Sequence, residues 1–223
     1  MDFGRALTFQ FKDPEWLQKI FTAALVSLIP FFGWFFVFGW SLEITRRVIE
    51  NDPIPLPHLR FIEDFVRGLK AFVIGFIYSL PALVVLAPVI ILVSMAAAAS
   101  EADWFKGVNL VIALFILATS VVYALILMFA LPAALGHMMK QDESLVAGLN
   151  LKSVFLTLKN APTAYLLVVV GQMLCGIITS IGLPFCVVGV ILTSTYTYSI
   201  MGHLYGQAYR EAQLEGSGYP RVE

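Results

Sequence analysis

The sequence predicts an all-α, polytopic helical membrane protein with about six membrane helices arranged as three hairpins. Of its 223 residues, 59% are hydrophobic and 13% are charged, about half the ~25% of charged residues in a soluble domain, and the mean hydropathy is +0.85. Four runs contain no Asp, Glu, Lys or Arg: residues 20–42, 71–100, 107–136 and 161–209. Because about 20 apolar residues cross a ~30 Å hydrocarbon core, the last run is long enough for two crossings, with a turn at 182–184.

The first run decides the topology, because Pro30 and Gly33 lie in its middle, where a single spanning helix would least accommodate them. If 20–42 crosses once, the 14 Lys and Arg residues divide ten to four between the two sides, whereas a hairpin divides them thirteen to one. The positive-inside rule therefore favours a hairpin, with both termini and the segments 41–70 and 137–160 in the cytoplasm.

The arms of this first hairpin are short, so we expect them to extend beyond the uncharged run. Asp13-Pro14-Glu15 has the residue types of a helix N-cap and first turn, which predicts a helix over 14–29. A second helix, 31–49, would emerge through the headgroups, where Glu43 and Arg46 share one face. These two helices would form a short or partly re-entrant hairpin.

The three hairpins share an architecture, because each follows an amphipathic lead-in helix that we expect to lie at the membrane interface. In the lead-in at 59–70, charged residues form a solvated face opposite an apolar one, and 150–160 repeats this arrangement. The predicted i,i+4 charge pairs of the first of these are Arg60/Asp64 and Glu63/Arg67. The hairpin units cover about residues 13–49, 59–136 and 150–209 of a single membrane domain, and a short cytoplasmic tail at 210–223 follows them.

Residues 29–59 and 66–84 carry the motifs of a known family. They read IPFFGWFFVFGWSLEITRRVIENDPIPLPHL and VRGLKAFVIGFIYSLPALV. The chain resembles, over about residues 13–210, the prokaryotic membrane proteins catalogued as domain of unknown function 4013. The residues that match the family pattern are Pro30 and Gly33, Arg46 and Arg47, Leu56 and Pro57, Gly68 to Lys70, and Pro81. The resemblance implies a multi-helix membrane fold and no known activity.

The polar residues inside the predicted helices are uncharged, and we expect most of them to join helices through hydrogen bonds. Helix interiors without Asp, Glu, Lys or Arg lack the groups that usually mark ion paths and proton relays. The alternative is a polar cavity that binds a small molecule or a lipid headgroup. The candidate residues for that cavity are Gln172, Thr193, Thr195 and Thr197.

Two histidines, His137 and His203, fall near the cytoplasmic ends of predicted membrane helices. We expect each of them to be an interfacial histidine that bonds a neighbouring helix end or water. A single intramembrane imidazole could also be an axial ligand of chlorophyll or haem, which makes these two residues the candidates for cofactor binding. Beyond bound lipid no cofactor is predicted, and the sequence contains no Cys/His metal motif.

Catalytic motifs are weak in this sequence. Ser199 and His203 are four residues apart on one helix face, but no carboxylate within the membrane would orient the imidazole. Phosphate-binding loops and basic, aromatic-rich nucleic-acid surfaces do not occur either. We therefore expect a protein that is not an enzyme and does not bind nucleic acid.

Gly202 and Gly206 form a GxxxG motif in the last helix, which is typical of close helix packing. The motif fits packing within the monomer, in a homo-oligomer or against another integral membrane protein. The preferred hypothesis is an accessory or scaffold subunit of the inner (plasma) membrane, surrounded by membrane lipids and packed against other membrane proteins. The alternatives are a transporter-like or lipid- or small-molecule-handling protein, which proline-interrupted helices favour, and a pigment-associated subunit.

Overall fold

The computed structural model describes residues 1–99 and 103–217, and these ranges contain no β-strand, which confirms the all-α class for them. Two 3₁₀ segments, Phe9–Lys12 and Leu183–Phe185, accompany the α-helices. The α-helices are α1 (Phe3–Thr8), α2 (Trp16–Ser27), α3 (Gly33–Ile49), α4 (Phe61–Ala99), α5 (Asp103–Lys140), α6 (Leu145–Gly148), α7 (Leu151–Asn160), α8 (Pro162–Ile181) and α9 (Cys186–Gly216).

Three helical stretches are long and apolar enough to cross a membrane: Phe61–Ile91, Leu110–Lys140 and Pro162–Gly216. The third contains α8 and α9, and the 3₁₀ segment between them lies at the predicted turn. By contrast, α2 and α3 have 12 and 17 residues, or about 18 and 26 Å at 1.5 Å per residue. Length and composition therefore describe a helical protein suited to a membrane.

The chain divides into two compact units, one formed by residues 1–74 with 129–223 and the other by residues 75–128. In the smaller unit most of the described large apolar side chains are exposed, and the Tyr123 hydroxyl donates to the Tyr78 carbonyl oxygen. Residues 100–102, in the predicted loop between α4 and α5, lie outside the described residues. The contacts that follow all belong to the larger unit.

The helix break predicted at Pro30 is present, because α2 ends at Ser27 and α3 begins at Gly33. Between them, Phe31 has a φ of 63°, in a left-handed region that bulky residues rarely adopt. The two helices then pack against each other through a buried apolar cluster. This cluster includes Ile20 and Ala23 of α2 and Trp40, Ile44 and Val48 of α3.

The helix predicted over 14–29 begins at Trp16, and the carboxylate of Asp13, the predicted N-cap, pairs with Lys19. Its Oδ2 lies 2.6 Å from Nζ of Lys19, and both side chains are buried. The same ammonium donates to the Leu56 carbonyl oxygen at 3.2 Å. Burial alone would raise the pKa of Asp13, but the hydrogen bonds from Lys19 and from the main chain hold it below its ordinary value. The pair fastens the loop after α3 to the start of α2.

Glycines allow α3 to approach α4 at backbone contact. A Cβ at Gly39 would collide with the carbonyl oxygen of Asp64 in α4, and a Cβ at Gly68 would collide with the carbonyl oxygen of Phe35 in α3. Any larger side chain at either position would therefore push the two helices apart. This close approach places the first turns of α4 beside the charged end of α3.

The GxxxG motif of α9 packs against α3 within the chain. A Cβ at Gly202 would collide with the Ser41 carbonyl oxygen, and a Cβ at Gly206 would lie 2.8 Å from the Thr45 carbonyl oxygen. The Ser41 hydroxyl donates to the Tyr198 carbonyl oxygen at 2.6 Å, and the Thr45 hydroxyl donates to that of Gly202 at 3.0 Å. The two helices therefore run in the same direction, and α3 occupies this face of α9.

The lead-in helix predicted at 59–70 is not a separate helix, because it forms the start of α4, which continues without interruption to Ala99. The prediction of a solvated charged face is wrong for half of that face: Asp64 and Arg67 are each 1% exposed, whereas Arg60 and Glu63 are 42% and 54% exposed. On the apolar face, Ile62 is 81% exposed. The two buried residues lie against α3, a contact that the pattern of this helix alone does not show.

The second lead-in, at 150–160, is a separate helix, α7, which Asn150 caps by accepting from the Ser153 main-chain N–H at 3.2 Å. The tail predicted from residue 210 is helical as far as Gly216, because α9 continues beyond residue 209. The rest of that tail, residues 218–223, lies outside the described residues.

We expect Gly202→Leu to destabilise the folded chain, because the new side chain meets the main chain of Ser41. Overpacking of this kind typically costs ~1–3 kcal/mol. Gly176→Leu in α8 is the matched control, because apart from the adjacent backbone of α8 no atom lies within 4 Å of its Cβ position. Thermal unfolding in detergent should show a lowered Tm for the first variant alone, and equal Tm values would contradict the α3–α9 contact.

Candidate functional site

An ion-pair cluster surrounds Glu43 of α3, which is 1% exposed. Two arginines of the same helix reach its carboxylate: an Arg46 Nη2 lies 2.7 Å from Oε1, and Nε of Arg47 lies 3.2 Å from the same atom. Arg60 approaches from the loop before α4 at 3.3 Å, and Arg67 approaches from α4 at 3.1 Å. One buried carboxylate therefore joins four guanidinium groups.

Arg67 is the central cation of this cluster, as Glu43 is its central anion, and it is also 1% exposed. Its guanidinium contacts the carboxylates of Glu43 in α3 and Asp64 in α4, and it lies 2.7 Å from Oε1 of Glu143. Glu143 belongs to the turn between α5 and α6, and Lys70 lies 3.5 Å from its other oxygen. The cluster thus fastens three segments of the larger unit together.

Neighbouring charges determine how the Glu43 carboxyl responds to pH. Burial would raise the pKa of Glu43, but hydrogen bonds from Arg46 and the charge of Arg67 hold it below its ordinary value. A carboxyl with a lowered pKa stabilises the fold at pH values above its unfolded pKa. This contribution is therefore complete at neutral pH and is lost as the pH falls through the folded value.

The i,i+4 pairs predicted for 59–70 are not the ones that form. Arg60 pairs with Glu63, and Asp64 pairs with Arg67, both at i,i+3. The Asp64 carboxylate also accepts from the Arg60 main-chain N–H at 2.6 Å. Because Arg67 turns towards Glu43 and Glu143, it is not paired with Glu63, which is 54% exposed.

The N-terminal segment lies along α9, which the sequence did not indicate. Gln207 of α9 bonds both main-chain polar groups of Asp2, at 2.7 and 3.0 Å. Further along, the buried Gln10 donates to the Ser199 hydroxyl at 2.8 Å, and the Tyr196 hydroxyl donates to the Leu7 carbonyl oxygen at 2.7 Å. These contacts join residues about 190 to 205 positions apart in the sequence, so no local sequence pattern predicts them.

A cavity of about 820 Å³ opens where this N-terminal segment, the turn after α3 and the last turns of α9 meet. Charged side chains line it from each segment, including Arg5, Asp2, Asp52, Arg210 and Glu211. Arg210 donates to the Asn51 side-chain oxygen at 2.6 Å. Charged groups therefore line a cavity that is built by parts of the chain that are distant in sequence.

The four polar residues predicted to form a cavity do not line this one. Gln172 donates to the Tyr205 hydroxyl at 3.1 Å, and the Thr193 hydroxyl donates to the Thr179 carbonyl oxygen at 3.2 Å, so both join α8 to α9. The hydroxyls of Thr195 and Thr197 bond carbonyl oxygens of their own helix, and that of Thr197 also contacts Thr179 at 3.1 Å. This arrangement matches the other expectation, hydrogen bonding between helices.

The two candidate histidines are both hydrogen-bonded. Nδ1 of His137 lies 2.8 Å from the Tyr209 hydroxyl, and Nε2 lies 3.0 Å from the Gln141 amide, so both ring nitrogens are occupied. His203 is 2% exposed, and its Nδ1 bonds Gln207 at 2.9 Å. Its ring stacks on Phe9 with 4.5 Å between ring centroids. His203 lines the 820 Å³ cavity.

Ser199 and His203 do not form the pair that a nucleophilic mechanism would need. The Ser199 hydroxyl donates to the Tyr196 carbonyl oxygen at 2.7 Å, whereas the imidazole bonds Gln207. Within residues 1–99 and 103–217, no group of three His, Cys, Asp or Glu side chains could hold a metal ion. The charged and amide side chains that line the cavity can recognise charge and form hydrogen bonds.

A family model matches most of the chain. The model of a family described as "Protein of unknown function (DUF4013)" matches residues 22–202. That range includes α3, the ion-pair cluster, all of α8 and about half of α9, whereas the cavity also uses residues on both sides of it. No curated protein and no solved structure matches the chain significantly.

We expect Arg67→Gln to lower the free energy of unfolding by about 3–5 kcal/mol, because it leaves buried carboxylates without their shared cation. Arg60→Gln is the matched control, since Arg60 also contacts Glu43 but is 42% exposed and should contribute at most about 1 kcal/mol. Denaturant unfolding in detergent measures both. Equal losses for the two variants would mean that the buried cluster does not hold the larger unit together.

Proposed function

We propose that this chain, which belongs to the family "Protein of unknown function (DUF4013)", is a multi-pass integral membrane protein that binds a polar small molecule or a lipid headgroup without transforming it. The 820 Å³ cavity carries this proposal, because ligand pockets usually measure about 300–1,000 Å³. Its walls combine charged and amide side chains from three segments of a mainly apolar protein.

We further propose six membrane helices as three hairpins in the inner membrane, with both ends of the chain in the cytoplasm. Asp2 precedes the first hairpin and Asn51 follows it, yet both bond the same stretch of α9, at Gln207 and Arg210. A segment whose two ends meet at one place enters and leaves the membrane on the same side. The distribution of basic residues assigns that side to the cytoplasm.

In this topology the first hairpin is partly re-entrant. At about 18 Å, α2 is too short to cross a ~30 Å hydrocarbon core. The tip between α2 and α3 is apolar, with Phe31 91% exposed and Phe32 54% exposed. Such a tip is stable when its aromatic side chains lie in lipid, and it carries no charge that would oppose this placement.

An accessory or scaffold subunit is the second candidate, and the smaller unit favours it. Residues 75–128 expose many large aliphatic side chains, such as Val84, Leu110 and Val122, which either lipid or a membrane partner would cover. The Gly202/Gly206 face no longer supports this candidate, because α3 already occupies it. Binding in the cavity therefore has the stronger structural support.

We expect cysteines at exposed Thr8 and Glu50 to be protected from an impermeant thiol reagent in intact cells, because both would face the cytoplasm. The background lacks Cys175 and Cys186. Leu183→Cys, in the turn between α8 and α9, is the positive control and should be labelled from outside. Labelling of Thr8→Cys from outside would contradict the hairpin and would mean that residues 20–42 cross the membrane once.

We expect occlusion of the cavity to displace a bound species. Leu214 lines the cavity, and Leu214→Cys in the cysteine-free background can be modified with a bulky pyrene maleimide. Native mass spectrometry in mild detergent should then show loss of a mass carried by the unmodified protein. Leu192→Cys on the same helix, modified in the same way, should retain it. If neither protein carries a specific mass, or both retain it, the binding proposal is wrong.

A further inference from the structure

We propose that the cavity binds a phosphate-bearing anion through Arg5 and Arg210, an inference that rests on the proposed binding function. Both arginines line the cavity, one from α1 and the other from the end of α9. Guanidinium groups bind phosphate oxygens through two parallel hydrogen bonds, which is why arginine is common at phosphate sites. Two guanidinium groups that line one cavity could bind one phosphate together.

Arg5 and Arg210 differ from other arginines of the chain in their ion pairing. Among the residues that the structure describes, neither forms an ion pair: Arg210 bonds the neutral side chain of Asn51, and Arg5 is an exposed residue of the cavity wall. By contrast, Arg67 contacts three carboxylates, and Arg46 and Arg47 both pair with Glu43. The two guanidinium groups at the cavity therefore lack a carboxylate partner.

The acidic residues of the cavity bond groups other than these two arginine side chains. Asp2 caps α1 by accepting from the Arg5 main-chain N–H at 2.8 Å. Asp52 accepts from the Ile54 main-chain N–H at 2.9 Å and lies 3.8 Å from Arg47. Glu211 lies 3.0 Å from the main-chain nitrogen of Met1. The acidic and basic groups of the lining balance in number, but no carboxylate pairs with Arg5 or Arg210, so both guanidinium groups can bind an added anion.

Inorganic phosphate tests the anion chemistry directly. We expect phosphate to raise the Tm of the detergent-solubilised full chain above its value in chloride at equal ionic strength, with saturation. Arg5→Gln combined with Arg210→Gln should weaken the phosphate response at least tenfold, since hydrogen bonds to charged groups are strong. Lys152→Gln with Lys159→Gln removes two exposed charges that do not line the cavity, and that control should keep the response.

A lipid arm separates a phospholipid headgroup from free phosphate. The protein is reconstituted in nanodiscs of equimolar phosphatidylglycerol and phosphatidylcholine, and retained lipid is identified by native mass spectrometry. Retention of phosphatidylglycerol that the double arginine variant loses identifies a lipid phosphate, whereas a phosphate response without retained lipid identifies a free phosphate compound. Both outcomes support the anion site.

Failure of this inference differs from failure of the binding function. If the pyrene label at residue 214 displaces a bound mass, but the double arginine variant keeps both that mass and the wild-type response to phosphate, the cavity binds something other than an anion. If wild-type protein shows neither a phosphate response nor retained anionic lipid, the phosphate inference is overturned regardless of what the label displaces.

Discussion

The buried guanidinium of Arg67 is the constraint on which the larger unit depends. A charge of this kind is expensive to remove from water unless carboxylates neutralise it at hydrogen-bond distance. Its three carboxylates come from α3, α4 and the turn after α5, so these segments must meet at one place. Backbone contact at Gly39 and Gly68 brings α3 near enough for Arg67 to reach Glu43. The close packing at the two glycines and the ion pairs of Arg67 therefore depend on each other.

Helix breaks at prolines could be predicted because their causes are local. Pro30 ends one helix wherever the chain lies, and the Gly182-Leu183-Pro184 turn separates α8 from α9 for the same reason. The surroundings of a helix face are not local. The charged face at the start of α4 looked solvated in isolation, but Asp64 and Arg67 on it are buried against α3. The long-range contact of Gln10 with Ser199 had no sequence signal at all.

The candidate site was less predictable than the fold for a related reason. Sequence patterns identified polar residues inside membrane helices, such as Thr193, but those residues use their hydroxyls to join α8 to α9. The cavity instead combines Arg5, Asn51 and Arg210, which are separate in sequence and ordinary as surface residues. Of the predicted residues, His203 lines the cavity. A site built from chain ends and a loop becomes visible only when the fold has brought them together.

The chain has 14 basic and 15 acidic residues, but its arginines differ in how much the stability of the fold depends on them. Arg67 is buried, and its removal leaves carboxylates that the fold cannot solvate, so it is required for stability. Arg5 is exposed, and Arg210 is only half-buried against a neutral amide, so water can solvate both. The fold therefore depends on these two charges less than on that of Arg67. Their place in the lining of one cavity is the observation on which the proposed anion site rests.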